Sequence, residues 1–193
     1  MEKRMGCVVM AAGNSSRFGA NKLAQEFGGK TLVERTLDAI PRGLFSVVAV
    51  VTQYDEVEQL AIERGFIPVR NRHPDWGISH TISLGLEQMI DCDGVMFTVS
   101  DQPMLTEETI RRVAATWCKA PQGIAAASHN GKRGNPCMFG AEFFQELRQL
   151  QEDHGGSAVI RRHESALNLV EADARELTDC DTPEQLESLK RQL

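Results

Sequence analysis

The segment Ala11-Ala12-Gly13-Asn14-Ser15-Ser16-Arg17-Phe18-Gly19-Ala20-Asn21-Lys22 combines small residues, two glycines and two cations directly after an apolar run. Small residues let backbone N–H groups approach phosphate oxygens, and an arginine and a lysine neutralise a polyphosphate. The spacing is not that of a P-loop, because Lys22 follows Gly19 by three residues and precedes Leu23, and no G-x-G-x-x-G occurs in the chain. A second segment, Val99-Ser100-Asp101-Gln102-Pro103, places a carboxylate just after another apolar run, where it suits a hard divalent cation beside phosphates. A third, Asp179-Cys180-Asp181-Thr182-Pro183, offers two more carboxylates. Each also has a plain structural reading. The first is equally a surface loop with solvated Arg17 and Lys22, the second a turn cap before Pro103, and the third the cap of a last helix.

These segments need a frame that brings them together. Gly6 to Ala11, Phe45 to Thr52, Phe66 to Arg70 and Val95 to Val99 are short apolar runs of the kind expected of buried strands. Ile124 to Ala127, Pro136 to Phe139 and Leu167 to Val170 read as further strands. Helical spacing is predicted over Thr31 to Ile40 (stopped by Pro41), Asp55 to Arg64, Ile78 to Ile90, Thr106 to Cys118, Ala141 to Leu150 and Pro183 to Leu189. Repeated strand-then-helix units predict a three-layer, Rossmann-like α/β sandwich, a mostly parallel sheet with helices on both faces. No repeat, low-complexity tract or linker interrupts it, so residues 1–193 are expected to form a single domain. In such sheets ligands sit beyond the carboxyl ends of the strands, where the three segments would lie together.

Composition narrows the function classes. Against 27 acidic residues there are 21 Lys+Arg, a net charge of -6, which disfavours a duplex nucleic-acid binder. The apolar runs are far shorter than a membrane helix, and Met1-Glu2-Lys3-Arg4 leads into a strand without a signal-peptide core, so a cytoplasmic protein is expected. Five scattered cysteines without a C-x-x-C pair, and five histidines without H-E-x-x-H spacing, argue against a disulfide framework or a zinc site. Cys137 is read as a core residue.

In chain order the segments resemble the nucleotidyltransferases of the molybdenum-cofactor type, which have the nucleotide-diphospho-sugar transferase fold; the likeness is closest to the family's cytidylyltransferases. The signature loop A-A-G-x-S-x-R-x-G-x-x-K is Ala11 to Lys22, and G-D-Q-P is Ser100-Asp101-Gln102-Pro103. The N-P-x-W-x-x-G-M-x-x-S-L segment is represented by Arg72-His73-Pro74-Asp75-Trp76-Gly77-Ile78-Ser79-His80-Thr81-Ile82. Gly131-Lys132-Arg133-Gly134-Asn135-Pro136 stands for G-R-R-G-H-P, Glu152-Asp153-His154-Gly155 for G-D-x-G, and Asp179 to Pro183 for D-I-D-T-P. Four departures stand out: Ser100 for glycine, Thr81 for serine, Asn135 for histidine, and Asn71-Arg72-His73-Pro74 where the family has an Asn-Pro pair.

The resemblance implies attack of an acceptor phosphate on the α-phosphorus of a nucleoside triphosphate, with Mg²⁺ as cofactor and pyrophosphate released. CTP is the implied donor and the phosphate of molybdenum cofactor the implied acceptor. Arg17, Lys22 and Asp101 are the implied catalytic residues. Nucleotide binding falls to Ala11, Ala12, Gly13, Asn14, Ser15, Arg17, Lys22, Gly77, Thr81 and Ser100. Asp101 is the implied Mg²⁺ ligand, with Asp181 or Asp179 as the second carboxylate. Arg133, Gly134, Asn135, Pro136 and Asp153 face the molybdopterin-type acceptor, and a molybdenum hydroxylase apoenzyme is the implied downstream partner. GTP as donor, another phosphate acceptor, or a non-catalytic cofactor carrier keeps the same phosphate-binding residues.

Overall fold

Alternate residues of β1 (Met5–Ala11) feed two separate cores, so both of its faces are buried. The computed structural model describes residues 3–14 and 21–191. Cys7, Val9 and Ala11 point to the side where α1 (Leu32–Ala39), α2 (Asp55–Glu63) and α4 (Glu107–Lys119) pack. Val8 points to the other side, against α3 (Ile78–Leu86), α5 (Phe144–Arg148) and α6 (Gly156–Arg162). Two apolar layers around one sheet make the three-layer sandwich that the alternating pattern predicts.

The seven-stranded sheet has the order β5 (Ile67–Arg70), β4 (Val47–Thr52), β1, β6 (Gly94–Val99), β8 (Lys132–Gly140), β7 (Ile124–His129) and β9 (Leu167–Glu171). All neighbouring pairs are parallel except the two made by β8, which runs against both β6 and β7. The cause is local. Asn130 and Gly131 both have positive φ (49° and 75°), the backbone of a two-residue hairpin turn, which forces β8 back alongside β7. The strand expected at Pro136 to Phe139 is therefore longer and reversed.

A two-stranded ribbon, β2 (Glu26–Phe27) with β3 (Lys30–Thr31), is an addition that the apolar pattern does not reveal. It turns on Gly28 and Gly29, again both at positive φ. Thr31 then starts α1 with a reciprocal cap: its hydroxyl accepts from the Glu34 N–H, and Glu34 accepts from the Thr31 N–H at 2.7 Å. The last helix, α7 (Pro183–Lys190), packs Leu186 and Leu189 with Phe27, Leu32 and Cys180 in a third, smaller core. The apolar pattern does not mark α6 either, and α3 ends at Leu86 rather than Ile90, where the chain tightens into three-residue turns.

Packing at the start of β6 is tight. A Cβ placed on Gly94 would lie 2.3 Å from Cζ2 of Trp117, a fully buried ring on α4. Gly94→Ala is expected to cost about 1–3 kcal/mol by overpacking, with the wild-type m-value retained in urea unfolding. An unchanged midpoint would show that the Trp117 ring yields freely.

Candidate active site

Lys22 opens a short 3₁₀ turn (Lys22–Ala24) that the Asn21 side chain caps by accepting from the Leu23 N–H at 3.1 Å. Its ammonium donates to Asp101 Oδ2 at 2.7 Å and to Asp181 Oδ1 at 2.9 Å. Asp101 lies just past the carboxyl end of β6, and Asp181 just before α7. The capping alternatives are resolved by this geometry. Thr182, not Asp181, caps α7, its hydroxyl accepting from the Gln185 N–H. Asp101 spends one oxygen on Lys22, while its other, Oδ1, is buried with no hydrogen-bond partner among the described residues. Lys22 is not a solvated surface cation, since only 13% of its side chain is exposed.

Beside this trio a cleft of about 280 Å³ opens at the carboxyl ends of β1 and β6. Ala12, Gly13, Asn14, Gly77, Thr81, Ser100 and Asp101 are among the residues that line it. Asp153, expected on the acceptor side, lines this first cleft. The reason is Gly77, whose φ of +86° lets residues 152–153 pack against it. A Cβ there would sit 2.4 Å from the Glu152 carbonyl oxygen and 2.8 Å from Asp153 Oδ1. Ala11 is buried beneath the cleft, and the Ser100 hydroxyl donates to the Met10 carbonyl at 2.9 Å. Ser15 and Arg17 lie outside the described residues.

A second cleft of about 370 Å³ adjoins the first, and Met10, Ile78 and Val99 line both. Arg133, Gly134, Asn135 and Asp179 stand on it, and Pro136 is buried in β8 behind them. The Arg133 guanidinium donates to the Ser157 hydroxyl at 3.2 Å. Asp179 is not on Lys22 in the way its two neighbours are; its Oδ1 accepts from Gln102 Nε2 at 2.9 Å.

A match to the MobA-like NTP transferase domain covers residues 7–167. The chain belongs to that family. The purine catabolism protein PucB of Bacillus subtilis (strain 168) is 27% identical over 197 residues, covering 95% of each chain. Among solved structures, a nucleotidyl transferase from Methanothermobacter thermautotroptrophicus superposes with a TM-score of 0.82 at 21% identity, over 99% of this chain and 98% of that one. A manganese complex of Rv0371C from Mycobacterium tuberculosis H37Rv superposes with a TM-score of 0.75 at 20% identity, over 98% and 100%.

In this MobA-like transferase the loop after β1 is held from beneath by residues that the motifs do not mark. Gln53 Nε2 donates to the Ala12 carbonyl at 2.9 Å and to Asn14 Oδ1 at 3.0 Å. The Tyr54 hydroxyl donates to the Gly13 carbonyl at 2.8 Å, and the Thr52 hydroxyl to that of Ala11 at 3.0 Å. Thr52, Gln53 and Tyr54 thus engage the carbonyls of Ala11, Ala12 and Gly13 in turn. The available signal is position alone: three polar residues following a buried apolar run in a neighbouring strand.

Burial alone would push the Lys22 ammonium down, but the adjacent Asp101 and Asp181 outweigh it and raise its pKa above the ordinary lysine value. Burial raises the Cys137 thiol to about 12, and its S–H donates to the Gly134 carbonyl, so it is a core group and not a nucleophile at neutral pH.

Lys22→Met removes the ammonium from which both Asp101 and Asp181 accept and is expected to cost about 1.5–3 kcal/mol at pH 7. A raised lysine pKa makes this contribution complete below the ordinary value of 10.5 and loses it as pH rises through the folded-state value. The difference between wild type and variant in urea unfolding should therefore hold steady from pH 7 to about 10 and shrink only above it. A variant as stable as wild type at pH 7 would contradict the assignment.

Proposed function

We propose that this transferase moves CMP from CTP onto the phosphate of molybdenum cofactor, releasing pyrophosphate, in a reaction that depends on Mg²⁺. The observation that carries the reading is the shared wall between the clefts. A phosphate acceptor on Arg133, Gly134 and Asn135 would lie next to a nucleotide on Ala12, Gly13, Asn14 and Lys22, since Met10, Ile78 and Val99 line both clefts. Phosphoryl transfer asks mainly for positioning and charge neutralisation, and an ionised phosphate acceptor needs no general base.

The donor set suits Mg²⁺. Asp101 and Asp181 converge on one cation, and Asp101 Oδ1 is buried and unsatisfied. Among the described residues no group of three or more His, Cys, Asp or Glu is set to hold a metal. Two carboxylates match the usual Mg²⁺ site, where waters and substrate phosphates complete the shell. Asp101 and Asp181 would hold the ion, with Asp179 nearby on the second cleft. When bound, it supplies positive charge beside the phosphate oxygens as negative charge builds there. Lys22, and Arg17 by resemblance, would hold the triphosphate, while the N–H groups of Ala12 to Ser15 approach it. Arg133 supplies the cation for the acceptor phosphate.

The choice of base falls to Ala12 and Thr81, which both line the first cleft. The Ala12 methyl narrows the slot in favour of a single-ring pyrimidine, and the Thr81 hydroxyl adds a hydrogen bond to its edge. The name of the Bacillus subtilis relative ties that protein to purine catabolism. Ring hydroxylation is a reaction that purine breakdown needs, so a molybdenum hydroxylase apoenzyme fits as recipient of the product. Among the described residues no helix is long and apolar enough to cross a membrane, and a cytoplasmic enzyme is the proposal.

Pyrophosphate release with Mg²⁺, each of four nucleoside triphosphates and molybdopterin tests the reading, with CTP expected to be used best. Asp101→Asn should lower turnover by about 10²-fold or more, the scale of removing one preorganised charge at a reacting centre. Unchanged turnover at saturating Mg²⁺ would make Asp101 purely structural. Ala12→Gly should relax the preference for CTP over GTP without abolishing use of CTP. A wild type that uses GTP equally would overturn the cytidylyl assignment, and binding without pyrophosphate release would make the chain a carrier.

A further inference from the structure

Asn71 is a polar residue with 1% of its surface exposed, placed directly after β5 and outside the machinery described above. Its backbone N–H donates to the Thr52 carbonyl at 2.7 Å, prolonging the β4–β5 ladder. Its side chain ties the turn at His73 to Thr81, which lines the first cleft. Oδ1 accepts from the His73 N–H at 2.9 Å, and Nδ2 donates to Thr81 Oγ1 at 3.2 Å.

The polarity of this chain of bonds is fixed. A backbone N–H can only donate, so the amide oxygen of Asn71 must face His73 and its NH₂ must face Thr81. Thr81 Oγ1 is therefore an acceptor toward Asn71, which leaves its single hydrogen for another partner. Among the described residues no protein acceptor takes that hydrogen, and Thr81 lines the cleft. We propose that Asn71 is a specificity-determining positioning residue that holds the Thr81 hydroxyl as a hydrogen-bond donor toward the bound base. A donor at this point favours a base with adjacent acceptors on its pairing edge, as cytosine has in N3 and O2. Guanine offers two adjacent donors there, N1–H and N2–H₂, and a single acceptor, O6, at the far end of that edge. The proposal rests on the nucleotidyltransferase reading and adds the sign of the hydrogen bond that selects the base.

Asn71→Asp tests it by reversing the sign while keeping an oxygen for the His73 N–H, since the carboxylate would accept from Thr81. Asn71→Ser keeps a short acceptor for the turn and drops the contact with Thr81, and it serves if the buried aspartate does not fold. Calorimetric titration of the full chain with CTP, GTP and inorganic triphosphate, all with Mg²⁺, is the measurement, alongside steady-state kinetics with CTP. Asn71→Asp should weaken CTP binding about 10-fold and raise KM rather than lower kcat, with triphosphate binding unchanged; Asn71→Ser should do so by roughly 3-fold. In a Thr81→Val background neither Asn71 substitution should weaken CTP binding further, because the hydroxyl they act through is gone.

Equal losses in the Thr81→Val background, or a parallel loss of triphosphate binding, would make Asn71 a structural residue of the 71–73 turn and overturn the proposal. It is overturned equally if Thr81→Val itself leaves CTP binding unchanged, while CTP-dependent pyrophosphate release still upholds the parent reading. A wild type that binds none of the nucleotides would overturn both.

Discussion

The ammonium of Lys22, lodged between the carboxylates of Asp101 and Asp181, ties together chain segments 79 and 159 residues apart. Two like charges at this distance repel, and the cation between them makes their approach tolerable. Both carboxylates accept from the one ammonium, Asp101 at 2.7 Å and Asp181 at 2.9 Å. Three further contacts hold the chain around this arrangement. Asn21 caps the turn that aims Lys22, the Asp101 carbonyl accepts from the Cys180 N–H at 2.8 Å, and Thr182 takes over capping of α7 so that Asp181 stays on the ammonium.

The reversed strand β8 gives the second cleft its place. Phe97 pairs with Cys137, so the residues that precede Cys137 run on past the carboxyl end of β6. In a wholly parallel sheet those residues would start from the opposite edge, far from Asp101. Reversal brings Arg133, Gly134 and Asn135 to the end of the sheet where β1 and β6 deliver the first cleft. Topology, and not sequence proximity, makes the two clefts neighbours.

Much of this frame was legible because buried parallel strands leave uninterrupted apolar runs, as in Cys7 to Ala11 and Val47 to Val51. Helices with one apolar stripe, such as α1 and α4, were equally plain. Strands of two residues carry no period, so β2 and β3 left no apolar trace; their signal was the Gly28-Gly29 pair, as Asn130-Gly131 was for the turn into β8. The seven-residue α6 begins Gly-Ser-Ala and has too few turns to show a stripe. At the site, motif order marked Lys22, Asp101 and Asp181, but no motif states which of two acidic neighbours reaches the lysine. In the structure it is Asp181, beside the Thr182 that caps α7. Gln53, Tyr54 and Asn71 act by supporting other groups, and a supporting role has no residue pattern of its own.

The separation of 159 residues between Lys22 and Asp181 has a temporal meaning. At about 5–20 residues per second, the ribosome needs roughly 8–30 s to travel from one to the other. By the time Asp181 is made, every strand of the seven-stranded sheet has already been translated. For that interval a nascent chain holds Lys22 and Asp101 without their third partner. The carboxylate pair proposed to hold Mg²⁺ therefore exists only once residue 181 has been made.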